Sequence, residues 1–196
     1  MSQSDKKVAR ARLVAGAADL LSRKGMNGTS IRELAKHSRA PLGSTYHYFP
    51  GGKQQVITEA IQFIGDKVSA GLAHSLKAGP VSGLRGFLAI WREEVVRSEF
   101  RAGCPVLSVA VEEPAGEDEM AALLVANAVF NDWMHLMAAA LREEGVSKAQ
   151  AEQIATLVVA SVEGTIALCR AQRSVKPLDQ VSRQLEKLIK NAIRKD

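Results

Sequence analysis

The segment GSTYHYFPGGK, residues 43–53, concentrates hydrogen-bonding and aromatic side chains in one short stretch of the 196-residue chain. Tyr46, His47 and Tyr48 follow one another, and Phe49 precedes a Pro-Gly-Gly turn. Phenol and imidazole groups can bind phosphate oxygens while their rings pack against neighbouring side chains. The segment therefore predicts contact with a phosphate-bearing partner, whereas Phe49, which has no polar group, is expected in the core.

The basic residues of the chain are concentrated in the same region. Residues 1–53 contain ten Lys and Arg against three Asp and Glu, whereas the other 143 residues contain 16 against 18. The net charge of +5 therefore comes entirely from the first quarter of the sequence. Localised positive charge on a small module is typical of a nucleic-acid-binding protein, and a solvated basic surface is the alternative interpretation.

Three short helices are predicted to position this segment. Apolar residues recur every three or four positions over residues 6–24, and Gly25 is expected to end that helix as a left-handed cap. Ser30 and Glu33 form a capping-box pattern that begins a second helix, and a third helix is predicted over about residues 41–47. Together they predict a helix-turn-helix unit, whose last helix would enter a major groove about 12 Å wide.

The rest of the chain has helical periodicity and no strand pattern. Apolar residues make up 46% of the sequence and aromatic residues only 5%, so the core must consist mainly of small and aliphatic residues that favour helices. Further helices are predicted over residues 53–77, 82–98, a short stretch between Pro105 and Pro114, a segment that ends near 143, 147–172 and 177–194. The predicted fold class is all-α, with a helix-turn-helix domain over residues 1–52 and a second helical domain over residues 53–196.

The sequence gives little support to a membrane, metal or enzyme function. The apolar run IATLVVASV at residues 154–162 is too short to span a bilayer, so a soluble, cytoplasmic protein with no membrane contact is expected. Cys104 and Cys169 provide neither a disulfide framework nor a zinc-binding spacing, and no metal or cofactor is expected. His74 or His135 could activate Cys104 as a nucleophile, but no sequence element places either histidine beside it, so an enzyme is not expected.

The segment TSIRELAKHS, followed by APLGSTYHYF and a lysine, resembles the TetR family of bacterial transcriptional regulators. APLGSTYHYFPGGK and the later GCPVLSVAVEE resemble the LmrA-like branch of that family. This resemblance implies a homodimeric repressor that binds a palindromic double-stranded DNA operator and is released by a small effector in its C-terminal domain. The last two helices would form the dimer, through apolar stripes that include Val158 and Leu185, and Ser161 and Gly164 would let two backbones approach closely.

The resemblance also assigns roles to single residues of the predicted head, the helix-turn-helix domain over residues 1–52. Leu42, Gly43, Ser44 and His47 would face the major groove. Phosphate contacts would come from Thr29, Ser30, Arg32, Tyr46, Tyr48 and Lys53. Arg39 stands where the family usually has a glycine, so it would either bind a phosphate that offsets the strain of a positive φ angle or lie in a turn that is not left-handed. Tyr48 replaces the family's usual histidine.

Large apolar side chains gather in the middle helices, and the resemblance indicates that some of them bind the effector. The candidates are Phe63, Phe87, Trp91, Phe100, Cys104, Phe130, Trp133, Met134 and Met137. Each of them has the alternative of being an ordinary core residue. Acidic groups in this region are few, with Asp132 and Glu93 as the main candidates, which favours a neutral hydrophobic or aromatic ligand. A DNA-binding factor regulated by a protein partner is the alternative function.

Overall fold

The protein is a set of α-helices in a computed structural model that describes residues 3–114 and 116–194. Within those ranges there are nine helices and no strand. In chain order they are α1 (Gln3–Lys24), α2 (Ile31–His37), α3 (Leu42–Tyr48), α4 (Gly52–Leu76), α5 (Pro80–Arg97), α6 (Pro105–Ala110), α7 (Glu117–Glu143), α8 (Lys148–Gln172) and α9 (Lys176–Ile193). The all-α prediction is confirmed, and the predicted bounds agree with the observed ones to within a few residues.

The helices cluster into two compact units that do not follow the order of the chain. The first unit contains the residues up to Gly65 together with Cys104–Val129, and the second contains Asp66–Gly103 together with Phe130 and the residues after it. Helices α4 and α7 each begin in the first unit and end in the second. The domain boundary after residue 52 stays a prediction, and α6 belongs to the first unit although it follows that boundary in the chain.

The core of the first unit is built from the apolar faces of α1 and α2 and from the end of α3. Its buried residues include Leu13, Val14, Ala17, Ala18, Leu21, Ile31, Leu34, Ala35 and Phe49. Gly25 ends α1 with a φ of 70°, and its N–H donates to the carbonyl oxygen of Leu21 at 2.9 Å. The predicted left-handed cap and the predicted burial of Phe49 are both confirmed.

In the second unit, α5, α8 and α9 pack against one another. The buried stripe of α8 recurs at four-residue steps and contains Ile154, Val158, Val162 and Ile166. Arg85 of α5 and Glu186 of α9 form an ion pair of 2.7 Å, and the hydrogen bonds from Arg85 lower the pKa of Glu186. An apolar interface with a charged contact at its edge therefore joins these helices.

Among the described residues, α8 is the one helix long and apolar enough to cross a membrane by length and composition. Its most apolar window has a mean hydropathy of 1.6, and 50% of that window is buried inside the protein. Because the core helix of a soluble protein passes the same test, this composition is weak support for a membrane span.

Candidate nucleic-acid interface

Helix α3 exposes most of its predicted DNA-facing residues to solvent. The exposed residues are Leu42, Gly43, Ser44, Tyr46 and His47. Thr45 and Phe49 lie one turn apart and are fully buried, so they anchor the inner side of the helix. The Thr45 hydroxyl also donates to the carbonyl oxygen of Pro41 at 3.1 Å. The outer side of α3 is therefore a preformed surface of mostly small and polar groups.

The turn between α2 and α3 is left-handed at Arg39, where φ is 50°. The N–H of Ala40 closes the turn by donating to the carbonyl oxygen of Ala35 at 2.9 Å. A non-glycine residue in this conformation carries strain of about 1 kcal/mol. The Arg39 side chain is exposed and forms no ion pair with any described residue, so its guanidinium group is available to a phosphate.

The N-terminus of α2 places three predicted phosphate contacts in different environments. Ser30 caps the helix by accepting a hydrogen bond from the Glu33 N–H at 3.1 Å, and its hydroxyl proton can still be donated. Arg32 is exposed. Thr29 is buried, and its hydroxyl donates to the carbonyl oxygen of Gly25 at 2.8 Å. A phosphate contact by Thr29 stays a prediction that would require this bond to break.

Tyr48 and Lys53 lie where α3 ends and α4 begins, and both side chains are half-buried. The Tyr48 ring contacts the His47 ring edge-on, with 6.0 Å between the ring centres. Their contacts with phosphate stay predictions, as do those of the other residues of the head.

A polar network between α1 and α4 supports Phe49. The Arg10 guanidinium group lies 5.4 Å from the centre of the Phe49 ring and pairs with Glu59 at 2.6 Å. Glu59 also accepts a hydrogen bond from Gln55, whose side-chain oxygen accepts one from the Gly51 N–H at 2.9 Å. Sequence reasoning missed this network, because Arg10 and Glu59 are 49 positions apart and no local pattern relates them.

Ion pairs neutralise part of the basic charge of the head. Lys24 pairs with Glu33 at 2.6 Å, and its hydrogen bond lowers the pKa of the exposed Glu33 carboxyl group. Arg23 and His37 both contact Asp19, at 3.0 and 2.9 Å. The positive charge available to a polyanion therefore resides on the basic residues outside these pairs.

Four aromatic rings form a continuous cluster in the second unit. Trp133 lies at its centre, with ring-centre distances of 5.5 Å to Phe87, 6.0 Å to Trp91 and 5.6 Å to Phe130. Both tryptophans are buried, and neither indole N–H has a hydrogen-bond partner among the described residues. Because a buried indole usually finds an acceptor, these two donors are exceptions to the usual pairing of buried polar groups.

The other predicted effector residues are more widely distributed. In the second unit Met137 is buried, whereas Phe100 and Met134 are half-buried. Phe63 is 38% exposed and Cys104 is buried, and both belong to the first unit. The effector role of all nine residues stays a prediction, and the ring cluster contains the four that form ring-to-ring contacts.

Asp132 and Glu93, which were expected as the acidic groups inside this region, lie at the surface. Asp132 accepts a hydrogen bond from the Ser69 hydroxyl. Glu163 of α8 is instead the buried carboxylate, with 4% of its surface exposed. Glu163 lies four residues after the buried Val159 and three before the buried Ile166, and this helical spacing is the signal that could have identified it from the sequence.

Both cysteines are buried, and they do not form a disulfide with each other. Cys104 caps α6, where its sulfur accepts a hydrogen bond from the Leu107 N–H at 3.4 Å. Burial raises the pKa of the Cys169 thiol, which disfavours a reactive thiolate. No group of side chains suited to a metal ion occurs in the part of the chain that the structure describes.

The fold and the surface of α3 define a class of protein. A three-helix head with an anchored, exposed third helix and a local excess of positive charge is a helix-turn-helix DNA-binding regulator. Residues 13–60 match the family described as bacterial regulatory proteins, tetR family, and residues 80–184 match the transcriptional regulator LmrA/YxaF-like C-terminal domain. The chain belongs to the TetR family, in its LmrA-like branch, and is a transcriptional regulator rather than an enzyme.

Relatives match almost the whole chain. The HTH-type transcriptional regulator Rv0196 of Mycobacterium tuberculosis is 37% identical over 183 residues, which cover 92% of this chain and 93% of that protein. The regulator LmrA of Bacillus subtilis is 28% identical and covers 92% of this chain and 96% of its own length. A TetR transcriptional regulator from Legionella pneumophila has the same fold, with a TM-score of 0.81 at 18% identity over 96% of this chain and 98% of that one.

Proposed function

We propose that this regulator represses transcription by binding a palindromic operator as a homodimer, and that a neutral aromatic molecule releases it. The observation that carries the proposal is the outer surface of α3, where small and polar residues are exposed above two buried anchors. A helix in the major groove brings its first residues close to the base edges. A Cβ atom at Gly43 would meet nothing within 4 Å, so the packing of the head does not require glycine there, whereas close approach to DNA would.

In this proposal the residues of the head contribute differently to affinity and to sequence preference. Base edges are contacted by Leu42, Gly43, Ser44 and His47. Phosphates are contacted by Ser30, Arg32, Arg39, Tyr46, Tyr48 and Lys53, and by Thr29 after its hydroxyl is released. Phosphate contacts strengthen binding to every sequence, whereas base contacts discriminate between sequences.

Lys53→Ala is expected to weaken binding to all duplexes. Loss of one phosphate contact should reduce the slope of log affinity against log salt concentration by about one. Ser44→Ala should instead weaken binding to the operator alone, by about 1–3 kcal/mol. Fluorescence anisotropy measures both effects, with an operator selected from a random-sequence pool and a random duplex as the two probes.

Lys67→Ala is the matched control for Lys53→Ala. It removes the same charge from an exposed position further along α4, and the salt dependence should not change. If Lys53→Ala and Ser44→Ala caused equal losses on both duplexes, the proposed division between phosphate and base contacts would be wrong.

An uncharged outer strip of α8 supports the homodimer. The outer strip is exposed and consists of Thr156, Leu157, Ala160, Gly164, Ala167, Leu168 and Ala171. Val158 and Leu185, which the sequence suggested for the dimer contact, are buried inside the protomer. A symmetric partner would cover the outer strip, with α9 beside it, and a two-fold axis would place the operator half-sites about one helical turn, or a multiple, apart.

Gly164 is a second argument for this contact. A Cβ atom at this position would meet nothing within 4 Å, so the protomer gives no packing reason for glycine. Glycine inside a helix is destabilising by about 0.5–1 kcal/mol relative to alanine. Close approach of a second α8 would provide the missing reason for a glycine at the centre of the outer strip.

The ring cluster supports a neutral aromatic effector that carries hydrogen-bond acceptors. Trp91 and Trp133 each have an indole N–H without a partner among the described residues, and an indole N–H can only donate. A ligand that packs on these rings and carries oxygen acceptors would satisfy both donors without being charged. Binding would release DNA if the ligand prefers a conformation in which the two heads no longer fit the half-sites.

An aromatic ketone is expected to quench tryptophan fluorescence and to weaken operator binding, whereas an aromatic hydrocarbon of similar shape should bind less tightly. Trp91→Phe and Trp133→Phe each keep an aromatic ring and one fluorophore but lose one donor. Each should lower the affinity for the ketone by up to about tenfold and leave the affinity for the hydrocarbon unchanged. Titrations with free and operator-bound protein measure the coupling, which must be reciprocal.

A cationic aromatic dye serves as the comparison compound, because the buried Glu163 is the feature that would favour it. A compound that quenches fluorescence but leaves operator affinity unchanged is not the effector. If no small molecule in such a series shifts operator affinity, regulation by a protein partner becomes the leading hypothesis.

A further inference from the structure

Glu112, in the loop after α6, holds the turn between α1 and α2 with both oxygens of its carboxylate. Oε1 accepts a hydrogen bond from the Met26 N–H at 2.7 Å, and Oε2 accepts one from the Asn27 N–H at 3.1 Å. Glu112 lies in the region that matches the LmrA/YxaF-like C-terminal domain, whereas both amides belong to the helix-turn-helix match. A residue from outside the head therefore fixes the backbone of the head.

The local geometry leaves room for this carboxylate. Gly25 has a φ of 70°, and a Cβ atom there would lie 2.5 Å from Oε1 of Glu112. The left-handed cap favours glycine here, and an added Cβ atom would also displace Oε1 of Glu112 from its present position. The dipole at the C-terminal end of α1 disfavours a negative charge, so the position of Glu112 depends on the two N–H donors.

We propose that Glu112 is a positioning residue for DNA binding. The turn it holds leads directly into Thr29 and Ser30, and the Thr29 hydroxyl ties the same turn to the carbonyl oxygen of Gly25. Ser30 and Arg32 at the start of α2 are phosphate contacts in the proposed function, and the effect on DNA binding rests on them. With Glu112 in place, the turn fixes the position of the first residues of α2. Without Glu112, the Met26 and Asn27 amides lose their acceptor and the turn can shift.

Glu112→Ala is expected to weaken binding to a random-sequence duplex at low salt by about tenfold, because hydrogen bonds to a charged group are strong. Loss of a negative charge would by itself strengthen binding to DNA, so the expected effect has the opposite sign to the charge effect. Glu113→Ala removes the same charge from the exposed neighbour and should leave binding unchanged or tighter. Glu112→Gln, which keeps one acceptor oxygen, should be intermediate.

Amide hydrogen exchange of the full chain separates this role from general stability. The Met26 and Asn27 amides should be protected in the wild type and in Glu113→Ala, and should exchange faster in Glu112→Ala at a temperature where circular dichroism shows a folded protein. Glu112→Gln provides the same comparison if the alanine variant does not fold. Unchanged exchange of both amides, or DNA affinity equal to that of Glu113→Ala, would overturn the proposal. If Arg32→Ala and Ser30→Ala bind DNA normally, the phosphate contacts of α2 in the proposed function are wrong, and the effect of Glu112 on DNA binding through them is overturned, even where the exchange of the two amides shows that Glu112 holds the turn.

Discussion

Replacing both Leu157 and Leu168 by glutamate is expected to produce a monomer that no longer binds the operator tightly. The two leucines lie three turns apart on the outer strip of α8 and are 49 and 50% exposed. In a symmetric dimer, the new carboxylates would be buried against an uncharged surface, and an unpaired buried charge strongly opposes association. Loss of the second head should lower operator affinity about 100-fold or more, because two linked heads gain that much from effective concentration.

Sedimentation velocity measures the oligomeric state and anisotropy measures operator binding for this double variant. Val96→Glu introduces the same charge at a position of α5 that is 52% exposed, and it should remain dimeric. Gly164→Ala should raise the unfolding free energy of the protomer by about 0.5–1 kcal/mol and yet weaken the dimer. A wild-type protein that is monomeric at micromolar concentration, or a double variant that stays dimeric, would refute the contact through the outer strip.

The head of the protein could be predicted well because its signals are local. The cap at Gly25 and the capping box of Ser30 and Glu33 are read from residues within one or two helical turns, and the structure has both. Phe49 was expected in the core because it is the one member of the aromatic segment without a polar group, and it is fully buried. The residues facing outward from α3 were instead assigned through the family resemblance, and the structure exposes Leu42, Gly43, Ser44 and His47.

The orientation of α8 could not be predicted, because this helix is apolar on more than one side. Periodicity identifies an apolar stripe, but α8 packs one apolar side within its own protomer and exposes Leu157 and Leu168 on another. The sequence suggested Val158 for the partner contact, whereas the structure buries it and exposes Leu157. The two residues are adjacent in the sequence and about 100° apart around the helix, so a pattern alone does not distinguish them.

Contacts between distant parts of the chain were also beyond sequence reasoning. Glu112 holds amides 85 and 86 positions away, and Arg10 pairs with a carboxylate 49 positions away. Each side chain looks like an ordinary surface charge in the sequence. Only the fold brings an acceptor to the turn after α1, and this is why α6 was predicted as part of a separate domain while it packs with the head.

Phe49→Ala is expected to be the most damaging single substitution in the head, at a cost of about 3–5 kcal/mol of unfolding free energy. The ring is fully buried at the end of α3, and the Arg10 guanidinium group lies against its face. Its removal would leave a cavity under α3, so that binding should fall on the operator and on random DNA alike. Phe49→Leu keeps part of the apolar volume and should cost less than Phe49→Ala.

Tyr46→Ala is the comparison that separates folding from recognition. Tyr46 lies on the same helix but is 53% exposed, so its loss should change the unfolding free energy by no more than about 0.5 kcal/mol while it weakens DNA binding. Urea unfolding followed by circular dichroism gives the stability of each variant. Both tryptophans lie in the second unit, so a transition seen by circular dichroism before any change in fluorescence would assign the lost stability of Phe49→Ala to the first unit. Phe49 would not be the anchor of α3 if its alanine variant proved as stable as Tyr46→Ala.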